Sequence, residues 1–304
     1  MDTKCVDLFV RAAETLNISA AGKTLGLRPS VASAWLSKLE NDLGITLFYR
    51  TTRKVSLTLE GEEFLPFAHE ILAQESAARV ALGQEDEMVK GTLRFAASST
   101  FAQSYIMPIL PKFFQTQPKL TLDMKLSDKP FDLIEGSFDL ALRNMALSDS
   151  TFKARKLADD HRILCAAPDY LKLHGVPNVI KDLAHHDLIA FGNLGALPLR
   201  SSEATTEMYE PRKDQIRLII DDGHSQKIAA MSGLGICQCA LWTVSEEIQN
   251  GQLVRVLPEF QVANDTALWL VYPNTNVVSA KVRVFMDFLI DNIGRNPPWL
   301  NDCS

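Results

Sequence analysis

The sequence predicts an α+β chain in two parts: an N-terminal winged helix-turn-helix and a long linker helix, then a C-terminal two-lobed α/β domain. Three observations carry this expectation. Residues 17–53 hold two short helical stretches joined by a Leu25-Gly26-Leu27 turn and followed by a basic, hydroxyl-rich segment. Residues 59–86 are rich in Ala, Glu and Leu and poor in β-branched side chains. From Thr92 onward strand-like and helix-like segments alternate, and the pattern restarts near residue 162.

In the first helix, Thr3–Leu16, Val6, Phe9, Val10 and Ala13 recur at three- and four-residue spacing and define an apolar face. Ser19 is the expected N-cap of a second helix whose Ala20, Ala21, Thr24 and Leu25 allow close packing. Gly26 falls where a tight turn needs positive φ. Pro29 suits the first turn of a third helix with Val31, Leu36 and Leu39 inward, and Gly44 ends it. Residues 46–58 read as a short hairpin wing.

The linker helix carries Phe64, Phe67, Ala68, Ile71, Leu72, Ala78 and Leu82 on one stripe, and Pro66 should kink it near its start. At ~1.5 Å per residue it spans on the order of 40 Å, more than a 60-residue head can cover. Pairing with a second copy through Phe64, Phe67, Ala68, Ile71, Leu72 and Ala78 is the expectation. Polar residues 84–91 read as a hinge. The expected domains are therefore 1–58, 59–90 and 91–304. The last divides into a first lobe of 91–161 with 267–304 and a second lobe of 162–266.

Strands are expected at 93–97, 120–126, 139–143, 162–166, 188–191, 218–221, 235–240 and 267–272, with helices at 105–114, 226–231 and 279–293. The strand–helix unit after 267 implies that the chain crosses back into the first lobe. Such alternation reads as a doubly wound sheet.

The formal net charge is −6, which excludes a protein that coats nucleic acid indiscriminately. Residues 1–60 hold eight Lys/Arg against six Asp/Glu, so any nucleic-acid contact belongs to the head. Cys5, Cys165, Cys237, Cys239 and Cys303 are odd in number and scattered, which fits a reducing cytoplasm rather than a disulfide framework. Cys237 and Cys239 alternate in an apolar run and face the same side of a strand, most simply as core, with oxidant sensing the alternative. The start has no apolar signal core, and no run approaches ~18 apolar residues, so neither secretion nor membrane insertion is expected.

On the third helix, Arg28, Pro29, Ser30, Ser33 and Ala34 lie on the side that would reach bases, with Lys38 nearer the backbone. Trp35 is read as packing, and a solvated turn charge is the other reading of Arg28. Arg50, Thr51, Thr52, Arg53 and Lys54 set three cations beside two hydroxyls in a hairpin, a phosphate-contacting composition. In the body, Ser98, Ser99, Thr100 and Phe101 follow a strand and lead into a helix, where hydroxyls and free N–H groups suit a carboxylate or similar anion. The alternative for each is a helix cap. Arg143, Asn144, Phe191, Gly192, Gly223 and His224 lie at comparable strand ends. Arg143 suits an anion or a neighbouring Asp equally, and His224 ranks lower as a contact.

No enzyme is expected. His174, His185 and His186 lack metal-ligand spacing, and there is no nucleophile elbow or phosphate-binding Gly-Lys-Ser/Thr. No metal and no cofactor is implied.

The head pattern Phe9-Val10, Ala13-Glu14, Ala20-Ala21, Leu25-Gly26-Leu27, Ser30, Ser33, Leu39-Glu40, Leu43-Gly44, Leu47-Phe48-Tyr49-Arg50, Leu57-Thr58 and Glu60-Gly61 resembles the LysR-type transcriptional regulators. In the body, Asp139-Leu-Ala-Leu-Arg143, Asp149-Ser150, Ala166-Ala-Pro-Asp-Tyr170, Asp222-Gly223 and Ser232-Gly-Leu-Gly-Ile236 extend the resemblance over essentially the whole chain. The pattern departs at Ala34, Trp35 and Ser37, where relatives carry basic or long polar side chains. The resemblance implies a periplasmic-binding-protein-like effector domain with a ligand cleft between its lobes. It also implies double-stranded DNA and a small-molecule effector as partners, a homodimer or tetramer, RNA polymerase as a further partner, and a cytoplasmic location.

Overall fold

Asp2 caps helix α1 (Thr3–Thr15), its carboxylate accepting the Lys4 N–H at 3.0 Å, and Leu16 closes the helix in the left-handed region. The computed structural model describes residues 1–50, 55–81, 89–129, 138–145, 152–192, 195–201, 205–263, 266–274 and 278–300. Helix α2 (Ile18–Thr24) is capped by Asn17, whose side chain accepts the Ala20 N–H at 3.0 Å. Ser19, the expected cap, already lies inside the helix, because the extended Asn17 two residues earlier supplies the acceptor. Helix α3 (Pro29–Leu43) begins on Pro29 and ends at Gly44 with φ 72°. Strands β1 (Phe48–Arg50) and β2 (Val55–Leu57) pair antiparallel. Helix α4 (Leu59–Ala81) runs through Pro66, the position at which the sequence predicts a kink, without ending there.

These elements close around Val6, Leu8, Phe9, Ala12, Ala32, Leu36, Leu39, Leu47 and Phe48, all buried. Val31, expected inward, is 38% exposed, because Ala32, Leu36 and Leu39 set the buried face of α3. Two glycines fix how closely the elements approach. A Cβ on Gly22 would stand 2.6 Å from the Ala32 Cβ, so the α2–α3 crossing admits no side chain there. A Cβ on Gly61 would stand 2.2 Å from the Leu47 carbonyl oxygen, where the start of α4 passes the chain entering the wing.

The linker stripe divides. Phe64 packs its ring 5.4 Å from that of Phe9, Ala68 is fully buried, and Leu72 joins the same cluster. Ala68 is taken up by the head's own core, which corrects its assignment to a partner copy, while Phe64 and Leu72 pack against that core and stay part-exposed: a 3.6-residue period turns part of the stripe toward α1. Phe67 is 61% exposed and Ala78 is also exposed. Leu82 and most of the expected hinge lie outside the described residues.

The chain divides into two units, one built on residues 1–89 with 275–283, the other on the remainder. The second unit holds two sheets. Strands β3 (Gly91–Ala97), β4 (Leu120–Leu126), β5 (Leu140–Met145) and β6 (Phe152–Asp159) open the first. Strands β7 (Arg162–Ala166), β8 (Leu188–Phe191), β9 (Leu197–Ser201), β10 (Thr206–Tyr209), β11 (Ile216–Ile220), β12 (Ile236–Ala240), β13 (Val254–Val256) and β14 (Phe260–Val262) form the second. Strand β15 (Ala267–Pro273) returns to the first, whose order is β4-β3-β5-β15-β6. The second sheet runs β10-β9-β14-β7-β12-β8-β11, with β13 also on β7. Among the described residues only β4-β3-β5 and β12-β8-β11 are parallel; β15 runs antiparallel to both neighbours and β7 antiparallel to β12. The sheets are thus mixed rather than doubly wound throughout.

Helix α5 (Ser99–Phe101) leads through π and 3-10 turns into α6 (Leu110–Thr116). Helices α7 (Pro168–His174), α8 (Gly223–Met231) and α9 (Leu241–Gln249) flank the second sheet, and α10 (Ala280–Leu289) follows β15. Phe95, Phe113 and Phe285 stack edge to face beneath the first sheet. Leu164, Leu188, Leu199 and Ile236 centre the core of the second.

Candidate DNA-contacting face and ligand cleft

Helix α3 is buried on one side and open on the other. Arg28, Pro29, Ser30, Ser33, Ala34 and Lys38 are all exposed, while Ala32, Leu36 and Leu39 are fully buried. Trp35 packs partly against the head core, as its indole requires. Lys38 Nζ stands 3.7 Å from Asp2 Oδ2, both more than two-fifths exposed, a pairing too weakly held to occupy the lysine. Arg50 ends β1 in register with Val55. Thr51, Thr52, Arg53 and Lys54 lie outside the described residues.

The wing is fastened to α3 by side chains that hold backbone groups. Glu40 Oε1 accepts the Leu47 N–H at 2.9 Å and the Phe48 N–H at 3.4 Å. Thr58, 3% exposed, donates its hydroxyl to the Thr46 carbonyl at 2.7 Å and accepts the Gly61 N–H at 2.9 Å. One threonine therefore caps α4 and closes the hairpin, which explains Leu57-Thr58 with Glu60-Gly61 as a packing motif.

In the second unit, the carboxyl ends of β3, β4 and β11 converge on one side chain. Ser98 Oγ donates to Asp128 Oδ1 at 2.7 Å and Ser99 Oγ to the same oxygen at 3.0 Å. The Thr100 N–H reaches Oδ1 at 3.2 Å and the Thr100 hydroxyl reaches Oδ2 at 2.6 Å. From the other sheet, the Gly223 N–H donates to Oδ2 at 2.7 Å. Burial pushes the Asp128 carboxyl up. The Ser98 and Thr100 hydroxyls and the Gly223 and Thr100 amides outweigh it and hold the group below its ordinary value. Beside it, Lys129 Nζ meets Asp221 Oδ2 at 2.6 Å on the surface.

The sequence thus predicts a carboxylate cradle, and the carboxylate in it belongs to the chain. Ser98, Ser99, Thr100 and Gly223 are brought together; a Cβ on Gly223 would lie 3.0 Å from Thr100 Oγ1 and 3.3 Å from Asp128 Oδ2, a close approach. Phe101 is fully buried against Tyr105, Trp242 and Trp299, which corrects its assignment as a ligand contact: the helix turns that ring into the core. His224 is exposed, and Phe191 and Gly192 end β8 without reaching Asp128. Arg143 Nε is buried with no hydrogen-bond partner among the described residues. Asn144 donates instead to Asp160 Oδ2 at 2.8 Å.

Two features escape the sequence reading. Asp128 follows β4, and only the parallel β3–β4 pairing carries its side chain to the Ser98 loop; a lone acid at a strand end gives no other signal. Asp160, 4% exposed, takes Asn144, Arg162 Nε at 2.8 Å, Thr266 Oγ1 at 3.0 Å and Trp242 Nε1 at 2.9 Å. Burial raises its pKa, and the Arg162 charge with the Asn144, Arg162 and Thr266 hydrogen bonds brings it below the ordinary value. Elsewhere, a cavity of about 270 Å³ is lined by Ser104, Tyr105, Lys227, Trp242, Glu247 and Pro298 among others, and none of the Asp128 cradle borders it.

Residues 5–62 match the family model described as bacterial regulatory helix-turn-helix protein, lysR family, and residues 86–294 match the LysR substrate binding domain. The chain belongs to the LysR family. The HTH-type transcriptional regulator CrgA of Neisseria meningitidis serogroup C (strain 8013) is 30% identical over 289 residues, 95% of this chain and 96% of that one. The HTH-type transcriptional activator TtdR of Escherichia coli (strain UTI89 / UPEC) is 32% identical over 295 residues, 94% of this chain and 92% of that one. Among solved structures, CrgA from Neisseria meningitidis superposes with a TM-score of 0.60 at 29% identity, covering 96% of this chain and 98% of that one. The full-length Vibrio cholerae virulence activator AphB gives 0.60 at 25% identity, covering 96% and 100%. This LysR-family chain is accordingly a helix-turn-helix transcriptional regulator with a C-terminal effector-binding domain. Among the described residues no helix is long and apolar enough to cross a membrane.

Proposed function

We propose that this LysR-type regulator reads its operator with the open face of α3. Arg28, Ser30, Ser33 and Ala34 meet base edges, Lys38 meets phosphate, and the wing residues Arg50 to Lys54 hold the flanking backbone. The observation that carries the reading is the division of α3 into a fully buried Ala32-Leu36-Leu39 side and a solvent-exposed Arg28-Ser30-Ser33-Ala34 side. Two copies pair through the outward remainder of the α4 stripe, Phe67, Ile71 and Ala78, and the assembly works in the cytoplasm. The 61% exposure of Phe67 supports that pairing.

The effector carries an acidic or hydrogen-bond-accepting group that enters the cradle when Asp128 leaves it, with Arg143 as countercharge. Five donors on one carboxylate and a buried Arg143 Nε with no hydrogen-bond partner among the described residues support this class. A fluorescence anisotropy titration with DNA from upstream of the gene tests the DNA reading. Specific binding with a steep negative salt slope, weakened by Arg28→Ala, is expected. Binding no tighter than to random DNA would reject it.

A further inference from the structure

Three cysteines that the regulator's DNA and effector functions leave unused meet in the second sheet. Cys237 stands opposite Cys165 in the antiparallel β12–β7 register, and Cys239, two residues on, shares its face. The Cys165 and Cys237 sulfurs are 3.4 Å apart, those of Cys237 and Cys239 are 3.1 Å apart, and all three lie within 4.8 Å of one another. All are free thiols and none is more than 1% exposed. Isolated buried cysteines pack as small hydrophobes, but three sulfurs converging on one point also make a soft-ligand set.

The surroundings select the charge of any guest. The nearby cations are already paired: Arg162 with Asp160 at 2.8 Å and Lys227 with Glu247 at 2.6 Å. A dry site with balanced neighbours accepts a complex of no net charge far more readily than an ion. Three thiolates leave copper(I) with a charge of −2 and zinc(II) with −1, but a trivalent centre with none. We propose that Cys165, Cys237 and Cys239 form a binding site for a trivalent thiophilic metalloid, arsenic(III) or antimony(III).

The chemistry balances without oxidant or reductant. Arsenous acid exchanges its three hydroxyls for three thiolates: three As–O bonds break, three As–S bonds form, and each thiol proton leaves with a hydroxyl as water. Helix α8 covers the cluster, Cys239 Sγ lying 3.6 Å from Gln226 Oε1, and Lys227 of the same helix lines the cavity of about 270 Å³.

The test uses the reduced full-length protein titrated with arsenite, read by calorimetry and native mass spectrometry. One arsenic per chain is expected, with a mass gain of one arsenic less three hydrogens. Cys5→Ala/Cys303→Ala should bind unchanged and melt higher with arsenite. Removing one cluster sulfur by Cys165→Ala or Cys239→Ala should weaken binding by about 10- to 100-fold. Should either cluster variant fail to fold, the double variant, which retains only these three thiols, decides by itself. Absent binding, loss of binding in the double variant, undiminished binding by a folded cluster variant, or zinc(II) or copper(I) that arsenite fails to displace would each overturn the proposal.

Discussion

Asp128 Oδ2 accepts the Gly223 N–H at 2.7 Å, so a carboxylate extending from β4 of one sheet caps the helix that follows β11 of the other. The same carboxylate holds Ser98, Ser99 and Thr100. An internal anion thus fastens the two halves of the effector domain at the cradle proposed above for the effector.

Asp128→Ala should loosen that fastening and free the donors. We expect simple carboxylic acids to stabilise the variant in thermal-shift assays at concentrations roughly tenfold below those the parent needs, a difference of about 1.4 kcal/mol. Equal half-saturation for parent and variant would remove Asp128 from the binding equilibrium. Without ligand the cost is about 1 kcal/mol, a figure discounted because the group is only half-buried.

Acid should act through Asp160. Its folded pKa is depressed, so its contribution is complete well above the unfolded carboxyl value of about 3.9 and disappears as pH falls through the lower folded value. Asp160→Asn should therefore cost about 3 kcal/mol at pH 7, and the gap to the parent should be narrower at pH 3, below the unfolded carboxyl value. Urea unfolding at both pH values measures it; a gap independent of pH would contradict the assignment.

Gly22→Ala and Gly61→Ala probe the head. Each places a methyl inside contact distance, on Ala32 Cβ at 2.6 Å and on the Leu47 carbonyl oxygen at 2.2 Å. Both should destabilise by about 1–3 kcal/mol, Gly61→Ala more, since a backbone oxygen yields less than a methyl. Calorimetric melts that leave either variant at the parent Tm would show that the crossing can relax.

Replacing Arg50 and Arg53 with Ala should weaken binding to all DNA sequences alike. The slope of log K against log salt should become shallower by about 0.9 for each phosphate that the variant no longer neutralises. Relaxed preference at one operator base, with the slope unchanged, would move these residues from reading the backbone to reading a base.

Much of the head is written locally. Pro29, Gly44 and the Leu36-Leu39 spacing fix the bounds of α3 and most of its buried side, although the pattern turns Val31 inward where the structure buries Ala32. The strands of the body at 120–126, 162–166 and 188–191 stand out for the same reason. Strand β6 does not, because Lys153, Arg155 and Lys156 break its apolar signal while β15 supplies its stability from over a hundred residues away. Asp128 is hidden likewise: its partners are 28 to 95 residues distant, and no period or motif links them. Phe64 and Phe67 sit on one sequence stripe, yet only contact with Phe9 separates the ring that faces inward from the one that faces out.

The Asp160 carboxylate touches both stretches by which the backbone passes between the sheets, through Arg162 on the outward leg and Thr266 on the return. One buried side chain thus ties the departing and the returning strand together, and neither can shift without breaking a hydrogen bond that also anchors the other.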